Sequence, residues 1–210
     1  MKKRLIAALA VAALLWFYMF SPWTSGLTNF WPTMAASALI LTSLALLFSP
    51  GKLPKVEKPL LQILAGILIA VFLWGVFWIG DRVSSLIFDF ARPEVDSIYS
   101  MKDGLPPAVI AALLLLLIGP AEEFFWRGYV QRTMEKLLDG RKWPKDKAFL
   151  LTAGIYALVH IWSLNFMLVM AALVAGCVWG FLYRLRPQML PALIVSHALW
   201  DALVFIWMPI

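Results

Sequence analysis

At 210 residues, 62% of them hydrophobic and with a mean hydropathy of +0.83, the chain excludes a soluble globular domain. Its charged fraction, 14%, is about half the roughly 25% of soluble proteins. The formal charge of +6 comes from short basic stretches beside apolar runs, which is a membrane-topology signal and argues against nucleic acid as a partner. The single cysteine, Cys177, excludes an internal disulfide or a CxxC site and reads as a small apolar residue of a helix.

Lys2-Lys3-Arg4 precedes the apolar run Leu5–Phe20. A secretory signal peptide has this outline, but Trp16 to Trp23 is bulky and aromatic where small residues should mark a cleavage site, so an uncleaved first span is expected. Further apolar runs lie at Phe30–Phe48, Leu60–Gly80, Pro106–Trp126, Ala148–Trp162, Phe166–Tyr183 and Met189–Met208. Lengths of about 15–21 residues suit helices crossing a ~30 Å hydrocarbon core. The expected fold class is therefore all-α, a polytopic transmembrane helical bundle of about seven spans. Residues 1–105 would supply the N-terminal membrane helices and an outer loop, and residues 106–210 a helical core, together one membrane-embedded domain. Trp16, Trp23, Trp31, Trp78, Trp162 and Trp207 lie near expected span ends and read as interface anchors.

The basic residues orient the bundle. With a cytoplasmic N-terminus, the inside segments hold 15 of the 18 Lys and Arg, and the outside segments hold only Arg82, Arg92 and Lys102. Such a split is the positive-inside pattern. The outer segment from Asp81 to Leu105 mixes acids with apolar residues and suggests an interfacial helix. The fourth run is expected to continue as a helix to about Leu138, with a kink where Gly119-Pro120 withdraws a backbone hydrogen bond.

Directly after that proline come Glu122 and Glu123, at the end of one of the most apolar runs. Carboxylates in lipid are costly and mark function by default. Glu123 and Arg127, four apart in the acid-first order, share a helix face and read as an ion pair. Glu122 points about 100° away on a 3.6-residue helix and finds no partner nearby in sequence. The chain has only two histidines, both inside apolar runs. His160 shares a face with Tyr156, and His197 shares one with Asp201. At about 1.5 Å per residue, Glu122, His160 and His197 reach compatible depths for one site in the cytoplasmic half. A carboxylate with two imidazoles suits activation of a water molecule. The same set could bind a divalent metal such as zinc through Glu122, His160, His197 and Asp201, although no HExxH helix is present. Two histidines on different helices also permit a b-type haem, which would not call for the acids. Gly176 and Gly180 form a small-xxx-small face, equally suited to packing within the chain or between copies.

Glu122-Glu123-x-x-x-Arg127, Tyr156-x-x-x-His160 and His197-x-x-x-Asp201, in this order and each in an apolar run, resemble the three motifs of the CPBP intramembrane proteases. That family includes the type II CAAX prenyl endopeptidases and bacteriocin-processing or immunity proteins of the Abi group. The resemblance covers about Pro106 to the C-terminus. It implies that Glu122 activates the hydrolytic water with His160, that His197 and Asp201 stabilise the tetrahedral intermediate, and that Glu123 and Arg127 support the site. It implies an intramembrane endopeptidase acting on a membrane-associated protein or peptide within the lipid bilayer, glutamic-type or metal-dependent. A non-catalytic immunity or binding protein on the same scaffold is the alternative. Tyr156 stands where the family often has Phe, with little consequence expected. Asp201 stands where the prenyl endopeptidases have Asn; it would have to carry a proton, orient His197 or contact a metal. The short chain leads us to expect the inner membrane of a bacterium or archaeon.

Overall fold

The apolar runs fold as helices in the computed structural model, which describes residues 1–102 and 104–210 and has no strand among them. Helices α1 (Lys2–Phe20) and α2 (Phe30–Phe48) form an antiparallel pair. Helix α3 (Pro59–Ile87) begins with a proline in its first turn, where the missing amide hydrogen has no helical partner to lose. It runs past the expected end at Gly80 and carries Asp81 and Arg82 inside the helix. The short α4 (Ala91–Tyr99) forms in the outer segment for which an interfacial helix was expected. Helix α5 (Pro107–Leu137) is continuous over 31 residues, as expected from the absence of strong breakers after Pro120. Helices α6 (Pro144–Val159), α7 (Phe166–Leu185) and α8 (Pro187–Trp207) complete the bundle.

Six of these, α1, α2, α3, α5, α7 and α8, are long and apolar enough to cross a membrane. The remaining expected span, the fifth, forms α6, which has only 16 helical residues and carries Lys145, Asp146 and Lys147 in its first turn. A 3-10 turn, His160–Ser163, prolongs it. It lies antiparallel along α7, with Phe149 facing Gly180 and Tyr156 facing Gly176. The six helices, all apolar and only partly buried by one another, make this an integral membrane protein.

The two ends of the bundle differ. One gathers the basic loops. The Arg4 guanidinium sits 5.7 Å over the Phe48 ring, Lys136 donates to the Pro50 carbonyl at 2.7 Å, and Arg132 donates to the carbonyls of Gly51 and Lys52. Gln62 donates to the Gln188 carbonyl, and Arg184 pairs with Asp146. The opposite end holds the last turns of α1, α3 and α8, the first turns of α2, α5 and α7, and α4. There Arg92 joins Asp81 on α3 to Asp96 on its own helix. The Asp96 hydrogen bond raises the guanidinium pKa further, against the opposing effect of burial and with help from the Asp81 charge. Glu94 ties α4 to α7: its carboxylate accepts from the Met167 amide and its carbonyl from Asn165, each at 2.8 Å.

Two expected interface anchors are core residues instead. Trp16 and Trp31 are buried, and Trp31 donates to the Met101 carbonyl at 2.9 Å. Their helices turn these rings inward against α5 and α8, which span length alone does not reveal. Trp23, Trp78 and Trp207 are exposed, as anchors should be.

Candidate active site

Glu122 and Glu123 stand midway along α5. Pro120 has no amide hydrogen, and its ring crowds the carbonyl one turn earlier. The helix responds by widening rather than ending. Wide π-type turns at Leu114–Ile118 and Phe124–Gln131 flank an α-helical Gly119–Glu123, a distortion often found at functional sites. The distortion expected as a kink at Gly119-Pro120 thus takes the form of two wide turns in one continuous helix. Gly119 also lets α8 come close, since a Cβ there would lie 2.6 Å from the Ala198 Cα. That approach sets His197 against the acids.

Glu123 is fully buried, as is Arg127. Its Oε1 accepts from Arg127 Nη1 at 2.6 Å and from His197 Nδ1 at 3.0 Å. Arg127 Nη2 donates to the Gly176 carbonyl at 3.1 Å, and one turn on Gln131 donates to the Gly180 carbonyl at 3.0 Å. A Cβ at Gly176 would lie 2.9 Å from the Tyr156 ring, so the small-residue face of α7 is filled by α5 and α6 of the same chain. Glu123 is therefore tied to three helices at once, α5, α8 and, through Arg127, α7.

Glu122 is also buried, but its partner is a single hydroxyl. Tyr156 donates to Glu122 Oε2 at 3.2 Å. The tyrosine expected to be equivalent to Phe is thus the partner that Glu122 lacked in sequence. Glu122, Tyr156, His160, His197 and Asp201 all line one cavity of about 430 Å³, whose other walls are mostly apolar and aromatic, with Asp81 and Ser84 among them. The structure therefore brings together all four residues expected to act, with the supporting pair Glu123 and Arg127 directly beneath.

The two histidines are held differently. His160 Nδ1 lies 2.7 Å from the Tyr156 carbonyl, and only a protonated nitrogen can donate there. Its Nε2 accepts from the Trp16 indole N–H at 3.0 Å. Both ring nitrogens are engaged, and the tautomer is assigned from these partners. His197 donates from Nδ1 to Glu123, stacks on Trp179 with ring centres 4.0 Å apart, and points Nε2 towards Asp201 Oδ2 at 3.5 Å. Trp179 is itself fixed by donating to Ser196 Oγ at 3.1 Å. Trp16, Trp179 and the Tyr156 hydroxyl were not legible as site residues. Only the hydroxyl left a trace in sequence, as a tyrosine where an aromatic ring alone would do.

A metal fits this arrangement poorly. The His160 Nε2 lone pair faces the Trp16 indole, and among the described residues no three His, Cys, Asp or Glu side chains converge as a metal would require. An axial role for His160 towards a haem meets the same obstacle.

Residues 104–203 match the family model described as type II CAAX prenyl endopeptidase, Rce1-like. This stretch of the chain is similar to that family. The family is one of membrane proteases, and the match contains all three motifs. No curated protein and no solved structure matches the chain.

Proposed function

We propose that the protein is an intramembrane endopeptidase in which Glu122 is the general base. The observation that carries this reading is a buried carboxylate, held by one tyrosine hydroxyl, facing an apolar cavity that His160, His197 and Asp201 also line. The surrounding wall is mostly apolar, so a water beside Glu122 would be held and oriented by few groups. Glu122 takes a proton from it as the water oxygen bonds to the substrate carbonyl carbon. The carbonyl oxygen becomes an oxyanion. In its protonated form His197 offers Nε2–H into the cavity as an oxyanion donor, while Glu123 holds Nδ1 and fixes the ring. The proton on Glu122 then passes to the leaving nitrogen as the C–N bond breaks.

Asp201 faces the same His197 nitrogen and orients it. His160 contributes in two ways. It anchors the Tyr156 carbonyl and lines the cavity, and its Nε2 reaches a water only if Trp16 yields it. The substrate is a membrane-associated protein or peptide.

The test compares membrane-protein termini in cells carrying native protein and cells carrying Glu122→Gln at equal abundance. Loss of a general base costs about 10²- to 10⁴-fold, so termini present with native protein should vanish. A folded Glu122→Gln protein that still cleaves would overturn the proposal. Identical termini in both would favour a binding or immunity role on the same scaffold.

A further inference from the structure

The depth expected from sequence placed the site in the cytoplasmic half, and nothing in the motifs says from which side it is reached. The cavity wall does. Starting from Glu122 and His197, the lining residues run along α3 through Phe77, Asp81, Ser84 and Phe88. Across from them lie Phe166 and Ala171 of α7, with Tyr99 of α4 and Ile210 at the far end. These residues belong to the end of the bundle that holds α4. None of the lining residues comes from the segments 49–59, 132–147 or 184–190, which form the basic end. On that side Glu122 is followed by fully buried Trp126, Arg127, Val130 and Gln131. The site is thus plugged towards the basic end and open towards the other.

Orientation follows from charge. The structure collects the basic loops at one end through contacts among them, Arg132 to Gly51 and Lys136 to Pro50 included. Cytoplasmic loops carry the excess of Lys and Arg. We infer that the catalytic cavity opens to the non-cytoplasmic face, between α3 and α7 beneath α4, and admits an apolar peptide segment presented from that side. What enters rests on the protease reading; which side it enters from does not. The aromatic walls, Phe20, Phe30, Phe77, Phe88, Phe166 and Phe205, suit an apolar chain. At the mouth, α4 is strapped to α3 by Arg92–Asp81 and to α7 by Glu94, so a chain passing between α3 and α7 must slide under this helix.

The test is directional labelling in a Cys177→Ala background, with single cysteines at Ser84 and Ala171 on the cavity wall and at Lys142 on the basic end. Sealed vesicles of both orientations are treated with a small membrane-impermeant thiol reagent. Ser84→Cys and Ala171→Cys should react from the non-cytoplasmic face only, and Lys142→Cys from the cytoplasmic face only. Reaction of the wall cysteines from the face that labels Lys142→Cys, or from neither face in protein that remains folded, would overturn the inference. Labelling needs no activity, so it stands apart from cleavage. Glu122-dependent termini should also fall in non-cytoplasmic segments, and termini confined to cytoplasmic segments would count against the opening. Absence of any such termini would remove the protease reading and leave the labelled opening in place.

Discussion

Glu122 and Glu123 are chemically identical neighbours on one helix, yet they face two different regions. Beneath Glu123 the bundle is closed. Its Oε1 meets Arg127 and His197, and Arg127 goes on to the Gly176 carbonyl. Oε2 has no partner among the described residues, but the charge is paired and buried. Above Glu122 the bundle opens into the cavity, and Tyr156 alone steadies the carboxylate. A carboxylate surrounded by fixed partners can hold a helix but has no room for a substrate. One with a single partner and adjoining space can exchange a proton. The difference teaches that adjacency in sequence separates roles when the helix turns about 100° per residue.

Substitutions that cross this divide should produce opposite phenotypes. The largest structural effect is expected for Arg127→Met, which leaves the Glu123 charge buried without its cation. Breaking a buried pair from one side costs about 3–5 kcal/mol, read as a lowered midpoint of thermal unfolding in detergent. Adding Glu123→Gln should recover part of that loss, and a double variant no more stable than Arg127→Met would break the assignment of Glu123 to structure. Gly176→Val comes next. Its side chain would push on Tyr156, and overpacking of this kind costs about 1–3 kcal/mol. Because Tyr156 holds Glu122, cleavage should fall further than stability explains.

Tyr156→Phe should leave the fold intact and slow cleavage. A hydrogen bond to a charged group contributes about 1.5–3 kcal/mol, so a loss of roughly tenfold or more in rate is expected. An unchanged rate would mean that the hydroxyl does not position the base. Trp16→Phe removes one neutral hydrogen bond to His160, expected to cost about 1 kcal/mol of stability. If His160 Nε2 must be freed for turnover, the rate should hold or rise in this variant, while a collapse would show that Trp16 itself positions the ring. The smallest effect is expected for metal removal. With His160 capped by an indole and no converging donor set among the described residues, a strong chelator should leave cleavage unchanged.

The helical bundle, the long continuous α5, a helix in the outer segment and the Glu123–Arg127 pair were legible in sequence. Each depends on local chemistry, namely apolar run length, absence of breakers, and spacing on one helix. The three motifs likewise name Glu122, His160, His197 and Asp201 without a structure. Less was legible where distant helices meet. Trp16 and Trp31 carry the sequence marks of interface anchors, yet both are buried. Trp16 reaches His160 across 144 positions of chain, and Trp179 stacks on His197 from a different helix. The fifth of the seven expected spans, Ala148–Trp162, forms α6, which is shorter than the six helices able to cross a membrane.

By itself, then, the sequence determined the membrane setting, the charge asymmetry that orients the bundle, and the identity of the polar residues that lipid would not tolerate unpaired. These are properties of composition and of periodicity along one helix, where neighbours are set by covalent spacing. Only the tertiary structure decided which glutamate is tied and which faces space, what engages each nitrogen of His160, and towards which end the cavity runs. Those depend on which faces of separate helices pack together, as where Gly119 admits α8 and Gly176 admits Tyr156, and close packing settles such choices between residues far apart in the chain.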